Sequence, residues 1–177
     1  MKYPNYKNIH RPIHIYQDCS FYFLTVRTFD RKNFFAGKEN SIIKTINKTL
    51  IEFQYKLYAW VILTNHFHIL FYVKKDFKKF IQILNGRLSR LANKIDNINN
   101  RRVLSQYWDR CIRNKKDFYS HFNYIHNNLI KHGLVKNFEE LKLNNNSSYK
   151  KYCEKYGEEW LMECFSKYPV INYSDDE

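Results

Sequence analysis

The chain has 177 residues, of which 44% are apolar and 18% aromatic, and its formal net charge is +13. This apolar content is enough to bury a core, which argues against a disordered chain. No window approaches the roughly 18 to 20 apolar residues that cross a bilayer, and residues 1–6 lack the apolar run of a signal peptide. We expect a cytoplasmic protein with a single domain over residues 1–177, comprising a core at about 15–136 and a tail at 137–177, with neither a membrane nor a small-molecule substrate as partner.

The positive charge points to a polyanionic partner. A compact domain that carries +13 repels itself unless it binds an anion. Lysines that only solubilise a surface would suit a net charge between about zero and the mid single digits better. Nucleic acid is the leading candidate, an anionic membrane surface is the alternative, and we expect association with the nucleoid. The basic residues that we expect to contact DNA are Lys2, Lys7, Arg11, Lys74, Lys78, Arg87, Arg90, Lys94, Arg110 and Lys131.

The first half of the chain predicts three strands and one helix. Residues 21–27 are rich in aromatic and β-branched side chains, which favour a strand. Apolar residues at three-to-four spacing predict a helix at about 39–54. Two further strands, 57–63 and 66–73, are joined by a tight turn at Thr64-Asn65.

The second half predicts two long helices around one extended stretch. An apolar stripe favours a helix at 77–95, and 101–113 contains the extended stretch. A helix at about 116–131 ends at His132-Gly133, where glycine favours a stop, and a short helix is expected around 148–155. This order predicts an α+β fold of ferredoxin-like type, an antiparallel sheet with helices packed on one face.

His66 and His68 lie in the second strand of the predicted hairpin. Side chains alternate along a strand, so the two imidazoles project from one face while Phe67 and Ile69 point to the core. Two histidines so placed can form half of a divalent metal site. The alternative is two ordinary half-exposed histidines that bind nothing.

Tyr124 and Asn128 lie in the helix at 116–131. The residues that mark the predicted buried side of this helix are Phe118, Phe122, Ile125 and Leu129. Tyr124, Asn128 and Lys131 are predicted on the polar side away from it, at spacings of four and three residues. Residues four apart on a helix are neighbours, so the side chains of Tyr124 and Asn128 point the same way.

A phenol and a metal site suit one reaction. A tyrosine that attacks a DNA phosphodiester keeps the bond energy in a phosphotyrosine, so the strand can be rejoined without a nucleotide cofactor. The phenol, with a pKa of roughly 10, needs help as a nucleophile, and a divalent ion can polarise and orient the phosphate.

The hairpin at 58–70 resembles the His-hydrophobic-His strand of the single-tyrosine HUH transposases. Residues 124–135 resemble the tyrosine helix of their REP-associated branch. Further stretches that resemble this branch, in the same order, are 14–16, 21–29, 107–110, 147–149 and 156–160. The likeness therefore extends over nearly the whole chain.

The resemblance implies the HUH transposase fold, with His66 and His68 as metal ligands, Tyr124 as nucleophile and Asn128 as the third, polar ligand. It implies Mg²⁺ or Mn²⁺ as cofactor. It also implies an endonuclease and strand transferase that cuts single-stranded DNA at hairpin-forming repetitive palindromes through a 5′-phosphotyrosine. The branch favours a monomer, and a dimer with exchanged tyrosine helices is left open. Leu129 stands where the family usually has proline, which lets the helix continue.

Two other functions stay open. The chain could be a non-catalytic DNA- or RNA-binding protein of the same fold, or a metal-dependent hydrolase that uses water while Tyr124 is structural. Formation of a covalent protein–DNA adduct separates the transposase-like function from both.

Overall fold

The computed structural model describes residues 16–170. Its sheet has four strands in the order β2-β3-β1-β4, and every pair is antiparallel. The strands are β1 (Ser20–Thr28), β2 (Lys56–Ile62), β3 (His66–Val73) and β4 (Leu104–Cys111). The helices are α1 (Glu39–Glu52), α2 (Phe77–Ile95), α3 (Lys115–Lys131), α4 (Phe138–Leu143), α5 (Tyr149–Tyr156) and α6 (Glu158–Lys167). The predicted antiparallel sheet and the predicted order of elements up to α3 are confirmed.

One face of the sheet packs against α1 and α2. Phe67, Ile69 and Phe71 of β3 are fully buried there, as their alternation predicts. The helices contribute apolar side chains such as Ile46 and Leu84 to the same cluster. This is the main hydrophobic core of the described chain.

The other face is covered as well, so the prediction of helices on one face only is wrong. Leu70 of β3 and Val61 of β2 are buried in a second cluster with Ile125 and Leu129 of α3. The reason is that the second face of the strands also carries large apolar side chains, such as Phe23, which need a layer to bury them.

Local signals set the ends of α3. The side chain of Asn114 caps the helix by accepting a hydrogen bond from the backbone N–H of Asp117 at 2.9 Å. At the other end Gly133 takes a φ of +65°, the left-handed conformation that glycine adopts without strain. The predicted stop at His132-Gly133 is therefore confirmed, and the helix continues past Leu129.

The tail covers the side of α3 that faces away from the sheet. Asn123 donates hydrogen bonds to the carbonyls of Cys164 (2.8 Å) and Tyr168 (2.7 Å). His126 Nε2 lies 2.7 Å from Ser148 Oγ. Of the three tail helices only α5 was predicted, and the structure adds α4 and α6. None of the helices within residues 16–170 is long and apolar enough to cross a membrane.

Candidate catalytic centre

His66 and His68 lie side by side on the face of β3 that α3 covers, with ring centroids 5.0 Å apart. Both are buried, with 7% and 0% of their surface exposed. The shared face is as predicted, whereas the alternative of two half-exposed histidines is wrong because α3 shields the pair.

Each imidazole is held through its Nδ1 atom. His68 Nδ1 lies 2.8 Å from Thr25 Oγ1 on β1, and His66 Nδ1 lies 2.7 Å from Asn65 Oδ1. The amide nitrogen of Asn65 donates to the carbonyl of Arg31, which turns Oδ1 toward the ring. An amide oxygen can only accept, so His66 Nδ1 carries the proton and Nε2 presents its lone pair.

The Nε2 atoms of His66 and His68 are buried and make no hydrogen bond to any residue between 16 and 170. The same holds for both polar atoms of the Asn128 amide. Buried polar atoms without a partner are rare in folded proteins. Nitrogen and amide oxygen atoms are donors that a divalent ion accepts, so these three residues fit a metal ligand set. Within the described part of the chain, His, Cys, Asp and Glu form no group of three or more that could hold a metal.

The protonation state of the histidine pair also suits a metal. Burial, with smaller contributions from His132 and from the Arg27 guanidinium, lowers the pKa of His66 to about 3. Burial together with His66 lowers the pKa of His68 well below its usual value. Both rings are therefore neutral near pH 7, the form in which imidazole binds metals.

Tyr124 is buried, with 1% of its surface exposed, so its predicted place on a polar side away from the core is wrong. Its ring lies 5.4 Å from that of His68 and 5.9 Å from that of Phe23, on the side of α3 that faces the sheet. Phe122, predicted on the main apolar side, packs instead against Tyr152 and Trp160 of the tail. The helix lies between two layers, so no single stripe identifies its inner side.

Asn128 follows Tyr124 by one helical turn and is fully buried. Lys131 shares this side of α3, since its Nζ lies 5.4 Å from the centre of the Tyr124 ring. The predicted grouping of these residues on one side of the helix agrees with this contact. The rings of His68 and Tyr124 therefore meet within one chain.

Residues that the sequence did not single out complete the centre. Thr25 and Asn65 orient the imidazoles, and His132 lies 5.1 Å from His66. Arg27 pairs with His66 in the sheet register and lies over Trp108 at 4.5 Å. Side chains alternate along β1, so Phe23, Thr25 and Arg27 share a face of that strand. This alternation could have indicated Thr25 and Arg27 as members of the centre.

The predicted DNA contacts fall into three groups. The first group lies on the side of the sheet opposite the histidines, because α2 packs on that side. It comprises Lys74, just before α2, and four residues of α2: Lys78, Arg87, Arg90 and Lys94. Arg87 binds Glu52 at 2.7 Å and Thr49 at 3.1 Å, which occupies its guanidinium in packing α2 against α1. Arg110 and Lys131 lie on the side of the sheet that carries the histidines. Arg110 is the register partner of Phe23 on β1, and Lys131 contacts the Tyr124 ring. Lys2, Lys7 and Arg11 lie outside the described residues.

Comparison with known proteins places the chain among transposases. The family model for IS200-like transposases matches residues 16–128. The REP-associated tyrosine transposase of Escherichia coli K12 is 26% identical over 119 residues, which cover 65% of this chain and 69% of that protein. A solved REP-associated tyrosine transposase, bound to a REP hairpin, superposes with a TM-score of 0.71 at 20% identity and covers 94% of this chain and 96% of its own. A putative transposase from Deinococcus radiodurans R1 reaches a TM-score of 0.47 at 11% identity over 73% of this chain and 94% of its own.

Proposed function

Because the chain belongs to the family of IS200-like transposases, we propose that it is a metal-dependent endonuclease and strand transferase that acts on single-stranded DNA. The observation that carries this proposal is the contact between Tyr124 and His68, whose rings lie 5.4 Å apart. A phenol and a pair of neutral imidazoles thereby meet in one buried centre. We further propose that residues 1–177 act as a single domain, as a monomer, in the cytoplasm at the nucleoid.

The substrate is a DNA hairpin with a flanking single strand, of the repetitive palindromic type. A relative of similar fold was solved with a REP hairpin, which supports this substrate class. The net charge of +13 suits a polyanion that reaches well beyond the catalytic centre. Arg110 and Lys131, on the histidine side, are the contacts nearest the scissile phosphate.

Tyr124 attacks the scissile phosphate through its hydroxyl oxygen. A bond forms between this oxygen and phosphorus while the bond from phosphorus to the 3′ oxygen breaks. The 5′ end stays attached to Tyr124. The phenol loses its proton in this step, and the released 3′ oxygen takes up one, so the protons balance. Attack by a 3′ hydroxyl on the phosphotyrosine reverses the step and rejoins a strand, because the bond energy has been kept.

His66, His68 and Asn128 would hold the divalent ion, Mg²⁺ or Mn²⁺. When bound, such an ion polarises the phosphate oxygens and orients the group for in-line attack. Thr25 and Asn65 hold the two imidazoles with their Nε2 atoms available. Lys131 supplies positive charge beside the Tyr124 ring.

The test is incubation with single-stranded hairpin DNA and Mn²⁺, followed by a denaturing gel. Wild type should give a cut strand and a covalent protein–DNA adduct, and Tyr124→Phe should give neither. Tyr119→Phe is the matched control, because Tyr119 is in the same helix but stacks on Tyr168 of the tail, with ring centroids 4.8 Å apart. An adduct that persists in Tyr124→Phe and disappears in Tyr119→Phe assigns the nucleophile to Tyr119. Cleavage without an adduct indicates a hydrolase that uses water, and DNA binding without cleavage favours the non-catalytic binding protein.

A further inference from the structure

An aromatic cavity lies at the N-terminal end of α3, away from the proposed catalytic centre. Phe21 of β1, Tyr58 of β2 and Phe118 of α3 meet there, with ring centroids 5.3 to 5.5 Å apart and their planes close to perpendicular. They line a cavity of about 380 Å³ together with Ile112 and the segment 113–115. This volume is in the range of roughly 300 to 1,000 Å³ that small-ligand sites occupy.

These rings differ from the other aromatic residues of the sheet. Tyr22, Phe67 and Phe71 are fully buried, whereas Phe21, Tyr58 and Phe118 are only half-buried. Leaving three ring faces partly in water forgoes hydrophobic stabilisation that the core would supply. A partner that covers these faces would recover it.

The cavity is distant from the histidine pair along β3. Tyr72 of β3 contacts Phe21 at 5.1 Å, and it lies six residues after His66, a span of about 20 Å along a strand. Phe118 lies in the first turn of α3, whereas Lys131 ends the helix on the catalytic side. The cavity therefore belongs to a different part of the histidine-bearing face.

Positive charge surrounds the aromatic rings. Arg113 and Lys115 line the cavity and are exposed, and Lys56 Nζ lies 5.1 Å from the centre of the Tyr58 ring. One carboxylate is close, since Asp117 accepts hydrogen bonds from the backbone and side chain of Arg113 at 3.1 Å. Arg113, Lys115 and Lys56 thus give three positive charges beside the cavity, and Asp117 gives one negative charge. The net charge of these four groups is positive.

We propose that this aromatic cavity binds an unpaired base of the DNA strand, with the flanking phosphates held by Lys115 and Lys56. Aromatic faces with cations beside them are the usual means of binding single strands, because every base has a face that can stack. The proposal rests on the proposed DNA function and adds a site that anchors the strand outside the reacting centre. Bases in a duplex are already stacked on their neighbours, so the cavity selects the single-stranded part of the substrate.

The experiment compares two labelled strands of about twelve units, one of thymidines and one of abasic units with the same phosphates. Wild type should bind the thymidine strand more tightly by fluorescence anisotropy. Tyr58→Leu keeps the apolar bulk and removes the ring, so its affinity for thymidines should fall about tenfold while its affinity for the abasic strand stays unchanged. Phe53→Leu is the matched control, because Phe53 is a half-buried ring on the opposite face of the sheet.

A second variant tests the cations without touching the core. Lys115→Gln should weaken both strands and lower the salt dependence of binding, whereas Lys48→Gln, on the exposed side of α1, should do neither. Equal affinity of wild type for the two strands, or an equal loss for both in Tyr58→Leu, overturns the base site and leaves the DNA function standing. No binding of either strand, or of a hairpin, overturns both proposals. All variants should still form the Tyr124 adduct at saturating hairpin DNA.

Discussion

The Oγ1 atom of Thr25 lies 2.8 Å from Nδ1 of His68, so a hydroxyl on β1 holds an imidazole on the neighbouring strand β3. The Nε2 atom of the same ring is buried without a hydrogen-bond partner between residues 16 and 170. The Nδ1 atom of His68 is therefore fixed by a hydrogen bond, whereas its Nε2 atom is available to a ligand. Residues that anchor a metal ligand in this way commonly contribute about 10- to 100-fold to metal affinity.

Thr25→Val removes the hydroxyl and keeps the shape of the side chain. We expect the affinity for Mn²⁺ to fall about 10- to 100-fold and the free energy of unfolding to fall by about 1 to 3 kcal/mol, because His68 Nδ1 loses its partner inside the protein. Titration calorimetry or Mn²⁺ electron paramagnetic resonance measures the first, and urea unfolding the second. Thr49→Val, a buried threonine on the opposite face, is the control that should leave Mn²⁺ affinity unchanged. Wild-type Mn²⁺ affinity in Thr25→Val would contradict this role.

The double substitution His66→Ala with His68→Ala should abolish Mn²⁺ binding and strand cleavage. DNA affinity should stay close to that of wild type, because it depends mainly on contacts with phosphates. Gel assays for cleavage and anisotropy for DNA binding measure the two properties on the same preparation. EDTA on wild type should reproduce the result, and full cleavage in EDTA would refute the metal site.

Salt dependence should distinguish the basic residues on the two faces of the sheet. If Arg110 and Lys131 each contact a phosphate, Arg110→Gln and Lys131→Gln should each lower the log–log slope of affinity against salt by about 0.7. Arg87→Gln should leave the slope unchanged and reduce thermal stability, because Arg87 binds Glu52 and Thr49. An unchanged slope in both single variants and in their double variant would mean that these residues do not contact the DNA.

Acid should destabilise the protein through His126. Burial lowers the pKa of His126 to about 3, whereas an unfolded histidine titrates near 6.5. The stabilisation is therefore complete above pH 6.5 and is lost progressively as the pH falls toward 3, since only the unfolded state binds the proton. At pH 5 the loss from this residue is about 2 kcal/mol.

Urea unfolding of metal-free protein at pH 7 and pH 5 measures this loss. His126→Gln removes the titrating group, so its stability should change less between the two pH values than that of wild type. Both proteins keep His66 and His68, whose contribution therefore cancels in the comparison. Parallel pH profiles would show that His126 does not stay neutral in the folded state.

The sequence by itself determined the local framework of this site. Alternation along β3 put His66 and His68 on one face and Phe67 on the other, and the bounds of that strand agree with those predicted. The helical period predicted Tyr124 and Lys131 on one side of α3, and the contact between Lys131 Nζ and the Tyr124 ring agrees with this prediction. Both inferences concern residues close together in the chain, for which backbone geometry dictates direction.

Only the tertiary structure decided which of these faces are buried and which residues support them. Thr25 is 43 positions before His68, and its role follows from the register between β1 and β3. Tyr124 is buried because α3 lies between the sheet and the tail, which hides its inner side from a single-stripe pattern. Burial and long-range pairing depend on elements that meet through folding, and a local period carries no information about what will cover it.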